Sequence, residues 1–170
     1  MSIQRELRQN MPFKSVTAEA AVSLLRTADL VRRSVAAVVE PHGITPQQYN
    51  VLRILRGAEE KGLPTLDIAG RMVEQTPGIT RLIDRLETKK LVLRERCPTD
   101  RRQVFCRITA PGLAMLARLD SPLQHAEEEA LSRLSARQLA QLLSLLDLAR
   151  NGLHAALVAR RAENTQEATS

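Results

Sequence analysis

Hydrophobic residues recur along most of this chain at the three-to-four spacing of a helix, and only between residues 91 and 108 does the period shorten towards two. From residue 17 to about residue 39, Val22, Leu25, Val31, Val35 and Val38 mark one face of a first long helix, which Glu40-Pro41-His42-Gly43 ends. Thr45-Pro46-Gln47-Gln48 then combines an N-cap threonine, a proline at the first helical position and a capping-box glutamine. The helix behind it carries Tyr49, Leu52, Ile54 and Leu55 and is predicted to stop near Gly57. Residues 59–64 read as a polar loop. Thr65 reads as the cap of a short helix through Val73, with Leu66, Ile68, Ala69 and Met72 inward. Glu74-Gln75-Thr76 forms the next turn, and Thr76-Pro77 opens another helix. There Ile79, Leu82, Ile83 and Leu86 make a single stripe at i, i+3, i+4 and i+7. Two short helices joined by a tight turn describe a helix-turn-helix.

Beyond it, residues 91–96 and 103–108 read as two strands, and the polar turn 97–102 between them makes a hairpin with a basic tip, a wing. Helix returns at Thr109 and runs through Leu113, Leu116 and Leu119 towards Leu134, with a kink expected near Pro122. Ser135-Ala136-Arg137-Gln138 is a second capping box. The last helix carries Leu139, Leu142, Leu143, Leu145, Leu146, Leu148 and Leu153, too many for one stripe, so it needs cover on more than one face. A second subunit is the simplest cover. The predicted fold is mainly α with a small β-hairpin wing, a winged helix-turn-helix plus terminal dimerisation helices. Its layout is a flexible amino-terminal arm (1–16), a helical dimerisation region (17–44 and 110–160), a DNA-binding winged helix-turn-helix (45–109) and a disordered tail (161–170).

Composition narrows the partners. Aromatic residues make up only 2% of the chain, so the core is built from Leu, Val, Ile and Ala, which favours packed helices over a sandwich or barrel. Net charge is +6, and residues 81–107 hold nine basic side chains against four acids, an excess of five in one stretch. Such a stripe is the electrostatic footprint of a polyanion. No run approaches the ~18 continuous apolar residues of a membrane span, and the polar first fifteen residues do not read as a secretory signal. Two cysteines make no disulfide framework. The expected setting is cytoplasmic, nucleoid-associated when bound to DNA, with no membrane partner.

With the stripe buried, Gly78, Thr80, Arg81, Asp84, Arg85 and Thr88 face outward on the second short helix, and Thr76, Pro77, Gly78, Thr80, Arg81, Arg85 and Lys89 are its DNA-binding candidates. The first residues of such a helix reach base edges in the major groove. Arg81 is the candidate for a guanine, because a guanidinium bonds both O6 and N7; Arg85 and Lys89 suit phosphates. At the hairpin tip, Arg102 is assigned to the minor groove, where narrow A·T tracts concentrate negative potential. Asp100 orients it, and Arg101 takes a phosphate or shares its role.

These residues resemble the MarR family of bacterial regulators. Ile44-Thr45-Pro46-Gln47-Gln48-Tyr49-Asn50-Val51-Leu52 is similar to the family's second-helix opening. Ile79-Thr80-Arg81-Leu82-Ile83-Asp84-Arg85-Leu86-Glu87 is similar to its recognition helix, and Leu91-Val92, Arg94, Asp100-Arg101-Arg102, Ile108-Thr109 and Gly112 to its wing. The resemblance implies a homodimeric repressor on a palindromic operator, released by a small anionic or phenolic effector held between the winged lobe and the dimer helices. Arg26, His42 and Tyr49 are its candidate polar handles. Lys90 and Val73 stand where the family often has glycine; a lysine at 90 either takes a costly positive φ or the helix ends differently.

Other chemistry is thin. Cys97 and Cys106 leave open a cysteine-based redox-sensing regulator, since Arg94 and Arg96 would lower the Cys97 pKa; the other reading is two inert thiols. A winged-helix protein-interaction module is a further alternative. His42, His125 and His154 are too scattered for a metal site. No cofactor is expected, and no enzyme motif is present.

Overall fold

The computed structural model describes residues 2–58, 62–75, 77–96 and 104–167. They form two units, Met1–Ala130 and Leu131–Ser170. The first opens with α1 (Ile3–Glu6), where an arm without structure was expected; Glu6 pairs with Arg26 at 2.6 Å. Helix α2 (Val16–Val39) begins at Ser15, whose hydroxyl accepts the Ala18 N–H. A 3-10 turn (Glu40–His42) and a left-handed Gly43 end it.

Helix α3 (Pro46–Gly57) starts with the expected capping box: Gln48 N–H donates to Thr45 Oγ1 at 3.2 Å, and Thr45 N–H donates to Gln48 Oε1 at 3.1 Å. It is the centre of the unit, packing against α2, α4 (Thr65–Arg71), α5 (Ile79–Thr88) and strand β3 (Val104–Ile108). Leu52 and Leu55 of α3, Ile68 of α4, Ile83 and Leu86 of α5, and Leu116 and Leu119 of α6 (Ala110–Leu131) are fully buried together. At roughly 1.5–3 kcal/mol for each such side chain, this core outweighs every polar contact described below.

The sheet holds one strand more than the periodicity showed. The order is β1 (Leu63–Pro64), β3, β2 (Val92–Arg96), antiparallel throughout, with Leu63 opposite Cys106 and Arg94 opposite Cys106 on the other side. Two residues are too few to alternate, which is why Leu63–Pro64 reads as loop. Leu63 is nevertheless buried, and Pro64, lacking an N–H, sits where an edge strand tolerates it. Thr65 consequently occupies the first helical position of α4 instead of capping it, and Leu66 points to solvent.

The start of α5 also differs from expectation. Thr76 lies outside the described residues, and Pro77 does not open the helix. Pro77 and Gly78 form a turn, Gly78 is the N-cap at φ 86°, and the helix begins at Ile79. Proline pre-sets one turn position and glycine supplies the positive φ that a residue with a Cβ avoids. At the other end, of the two alternatives left open at Lys90, the positive φ is the one taken, at 60°. Lys90 N–H donates to Glu87 O (2.8 Å) and Leu91 N–H to Leu86 O (3.0 Å), the paired bonds of a Schellman cap, with Leu91 and Leu86 both buried. Val73 takes no positive φ; Gly78 supplies it further on.

Thr109 seals the join to α6. Its hydroxyl donates to Lys90 O at 2.7 Å and accepts from Gly112 N–H at 3.2 Å. A side chain at Gly112 would collide with the Leu91 carbonyl and Ile108. Pro122 lies inside α6.

The second unit is α7 (Ala136–Glu167), opened by the expected capping box between Ser135 and Gln138. It stays helical as far as Glu167, so the polar tail expected to be disordered from residue 161 continues the helix; residues 168–170 lie outside the described ones. Within a single chain Leu143, Leu145, Leu148, Leu153, Leu157 and Val158 are exposed. Over Ala136–Thr165 its most apolar 18 residues reach a mean hydropathy of 1.2, long and apolar enough to cross a membrane by length and composition alone.

The cap at Lys90 generates a prediction. A left-handed residue with a side chain costs roughly 1–2 kcal/mol, and glycine returns roughly 0.5–1 kcal/mol of that through unfolded-state entropy. Lys90→Gly is therefore expected to raise the denaturation midpoint, a gain of roughly 0.5–1 kcal/mol. A lowered midpoint would contradict the strained cap.

Candidate nucleic-acid interface

The apolar stripe of α5 decides which face is free. Ile83 and Leu86 are fully buried and Ile79 and Leu82 pack against the core, so Thr80, Arg81, Asp84, Arg85 and Thr88 are left on the outer side. Pro77 and Gly78 are exposed just before the helix, and nothing lies within 4 Å of where a Gly78 side chain would be. Arg81 and Arg85 are exposed, and no ion pair among the described residues engages either of them. Asp100, Arg101 and Arg102, the wing candidates, lie outside the described residues, as do Thr76 and Cys97.

Three cations of the basic stripe are occupied internally. Lys89 Nζ donates to the Gly43 carbonyl and lies 3.5 Å from Gln48 Oε1. It is a strut between the end of α5 and the start of α3. Arg107 pairs with Glu95 at 3.2 Å. Arg94 of β2 is half-buried and reaches α5 three times: to Asp84 Oδ1 at 2.5 Å, to Glu87 Oε2 at 3.1 Å and to the Thr80 carbonyl at 3.1 Å. Burial disfavours its charge, but the hydrogen bond and charge of Asp84, with Glu87, more than compensate and leave its pKa raised. Hydrogen bonds to charged groups contribute about 1.5–3 kcal/mol, so this clamp fixes the angle between α5 and the hairpin. Lys89 and Arg94 look in sequence like any other cation of the stripe; their distance in space from α3 and α5 is invisible there.

Cys106 is fully buried, opposite Arg94 in the ladder, with its sulfur 3.8 Å from Thr65 Oγ1. Nothing exposes it to an oxidant. Among the described residues no group of three His, Cys, Asp or Glu is placed to hold a metal.

A second feature lies behind the helix-turn-helix. A cavity of about 180 Å³ opens between α2, α3, the turn before α5 and α6. Val31, Val35 and Met72 give it apolar walls, while Tyr49, Asn50 and Arg53 give it polar ones. Of the three expected handles only Tyr49 lines it. Arg26 is held by Glu6 and Asp29 instead, and His42 is exposed in the turn after α2. Arg32, Asn50 and Arg53 were missed, although Arg53 is one helical turn beyond Tyr49 and its guanidinium sits 5.8 Å from that ring, a cation–π distance. Arg32 also lines the cavity, paired with Glu74 at 2.6 Å and Asp29 at 3.0 Å; the hydrogen bond it donates to Glu74 is the main cause of its raised pKa. Burial raises the Tyr49 phenol above its usual range, only partly offset by the charge of Arg53.

The MarR family model matches residues 44–104. The chain is similar to the regulator MhqR of Bacillus subtilis (strain 168), 33% identical over 119 residues, covering 69% of this chain and 78% of that one. It is similar to the homoprotocatechuate degradative operon repressor of Escherichia coli, 28% identical over 126 residues, covering 74% and 84%. Among solved structures it is similar to a MarR transcription factor of Planctomyces limnophilus, 40% identical, TM-score 0.62, covering 81% of this chain and 99% of that one.

Tyr49 is the chain's one tyrosine, and there is no tryptophan, so its ionisation can be followed directly by absorbance. The native midpoint is expected above the usual value of about 10, returning there in denaturant. Since the fold favours the protonated phenol, its contribution to stability is present at lower pH and lost as pH rises through the native pKa. Tyr49→Phe should remove that alkaline loss. A native midpoint at or below the denatured one would contradict the burial.

Proposed function

This chain belongs to the MarR family of transcriptional regulators, whose members bind DNA, and we propose that it acts as a homodimeric repressor of a palindromic operator, released by a small anionic or phenolic effector. The observation that carries the reading is the outer face of α5: Arg81 and Arg85 stand free on a helix whose other side is locked in the core. In this reading Arg81 contacts a base edge and Arg85 the backbone, while Arg102, oriented by Asp100, enters the adjacent minor groove and Arg101 takes a phosphate.

Dimerisation is supported by the exposed leucines of α7, a helix about 48 Å long at 1.5 Å per residue, together with exposed Leu24, Leu25, Leu30 and Val31 on α2. In this reading residues 17–44 and 110–160 form the dimer region, and residues 45–109 the DNA-binding lobe. A second copy, and not a bilayer, covers α7, and the protein works in the cytoplasm, on the nucleoid when bound.

An effector is supported by the cavity behind α5. A dry cavity of about 150 Å³ admits benzene, so about 180 Å³ suits one aromatic ring with a polar substituent. Arg53 would face an anionic group and Tyr49 or Asn50 a hydroxyl. The name of the Escherichia coli relative points to the same chemistry, since homoprotocatechuate is an aromatic acid.

Selection of bound sequences from random duplexes tests the function directly. A palindrome with half-sites about 10 bp apart is expected; an asymmetric or absent motif would defeat the proposal. On that operator Arg81→Ala should cost roughly 1–3 kcal/mol and relax preference at one position in each half-site. A uniform loss across sequences would make Arg81 a phosphate contact.

A further inference from the structure

The turn in front of α5 is tethered from two sides. Met72 is the C-cap of α4 and Gly78 the N-cap of α5, and Val73 and Glu74 lie in the described part of the turn between them. Val73 N–H donates to Asn50 Oδ1 of α3 at 2.9 Å, and Glu74 accepts from Arg32 of α2 at 2.6 Å. These two ties span 23 and 42 residues of sequence. Arg32 is itself steadied by Asp29 on its own helix. Val73 is largely exposed, so its N–H has water available and the Asn50 bond is not forced by burial.

Glu74 is the odd residue in this arrangement. It puts a negative charge five residues before the helix that faces a polyanion, where simple electrostatics would penalise binding. Arg32 and Glu74 are each 43% exposed in their side chains, so the pair does little to hold the fold as a whole. A weak contribution to folding and a wrong-signed charge leave position as what the contact controls.

We propose that Arg32 and Asn50 are positioning residues for DNA binding, holding residues 73 and 74 so that α5 is presented at a fixed angle, with Glu74 as the acid that Arg32 grips. The inference rests on α5 being the DNA-contacting helix. Arg32, Asn50, Val73 and Glu74 all line the cavity, so the tie is where the cavity and the recognition helix meet.

The test is a double-mutant cycle on the full chain, read as affinity for the selected operator at several salt concentrations. Glu74→Gln removes an acid, yet it is expected to weaken binding about 3- to 10-fold, where tenfold corresponds to 1.4 kcal/mol. Arg32→Gln should weaken it similarly, and the double variant no further than either single. The salt slope should stay that of the parent, because no phosphate contact is lost. Asn50→Leu should weaken binding and Asn50→Asp, which keeps the acceptor, should not. Thermal midpoints near the parent's show that folding is intact. Tighter binding by Glu74→Gln, additive losses in the double variant, or a shallower salt slope for Arg32→Gln would each overturn the proposal. A parent with no operator preference would bring down the DNA-binding reading, and this one with it; normal parental preference with unchanged variants would bring down only this one.

Discussion

The packing of four side chains of one ten-residue helix, two of them fully buried, governs the rest of this structure. Ile79, Leu82, Ile83 and Leu86 turn one side of α5 into the core beneath α3, and the orientation of everything on its other side follows. Each fully buried aliphatic side chain contributes roughly 1.5–3 kcal/mol, whereas an exposed ion pair contributes about 0–1 kcal/mol. The stripe therefore sets the rotation of the helix, and the polar contacts refine its tilt. Arg94 ties it to the hairpin, Lys89 to the start of α3, and the Schellman cap at Lys90 turns the chain directly into β2.

The charge of this lobe is consequently divided between two jobs. Cations whose partners lie within the fold act as struts: Arg94 with Asp84 and Glu87, Arg107 with Glu95, Lys89 with a carbonyl and an amide oxygen. Arg81 and Arg85, which no ion pair among the described residues engages, are carried by the outer face of α5. Counting charge along the sequence cannot separate the two, because the acids that neutralise a strut come from another element. Asp84 and Glu87 lie seven to ten residues from Arg94.

What the sequence made legible was whatever depends on local period or local capping chemistry. The helices α2, α3, α5 and α7, both capping boxes and the two hairpin strands follow from apolar spacing and a few terminal residues. What stayed hidden was set by contacts distant in the chain. Leu63–Pro64 is a strand only because Cys106 and Phe105 lie beside it. Pro77 is displaced from the helix because Gly78 takes a positive φ, a choice two short residues leave open. The cavity was legible at Tyr49 but not at Arg32 or Asn50, whose partners Glu74 and Val73 are 42 and 23 residues away.

The central claim is that a rigidly seated helix presents its cationic face to duplex DNA, with base contacts adding specificity to phosphate attraction. Equilibrium titration of the full chain with its operator and with a scrambled duplex of equal composition, across a range of salt, tests it most directly. Both affinities should fall along parallel log–log lines while the operator stays at least about a thousandfold tighter. Equal affinity for the two duplexes, or binding indifferent to salt, would contradict it.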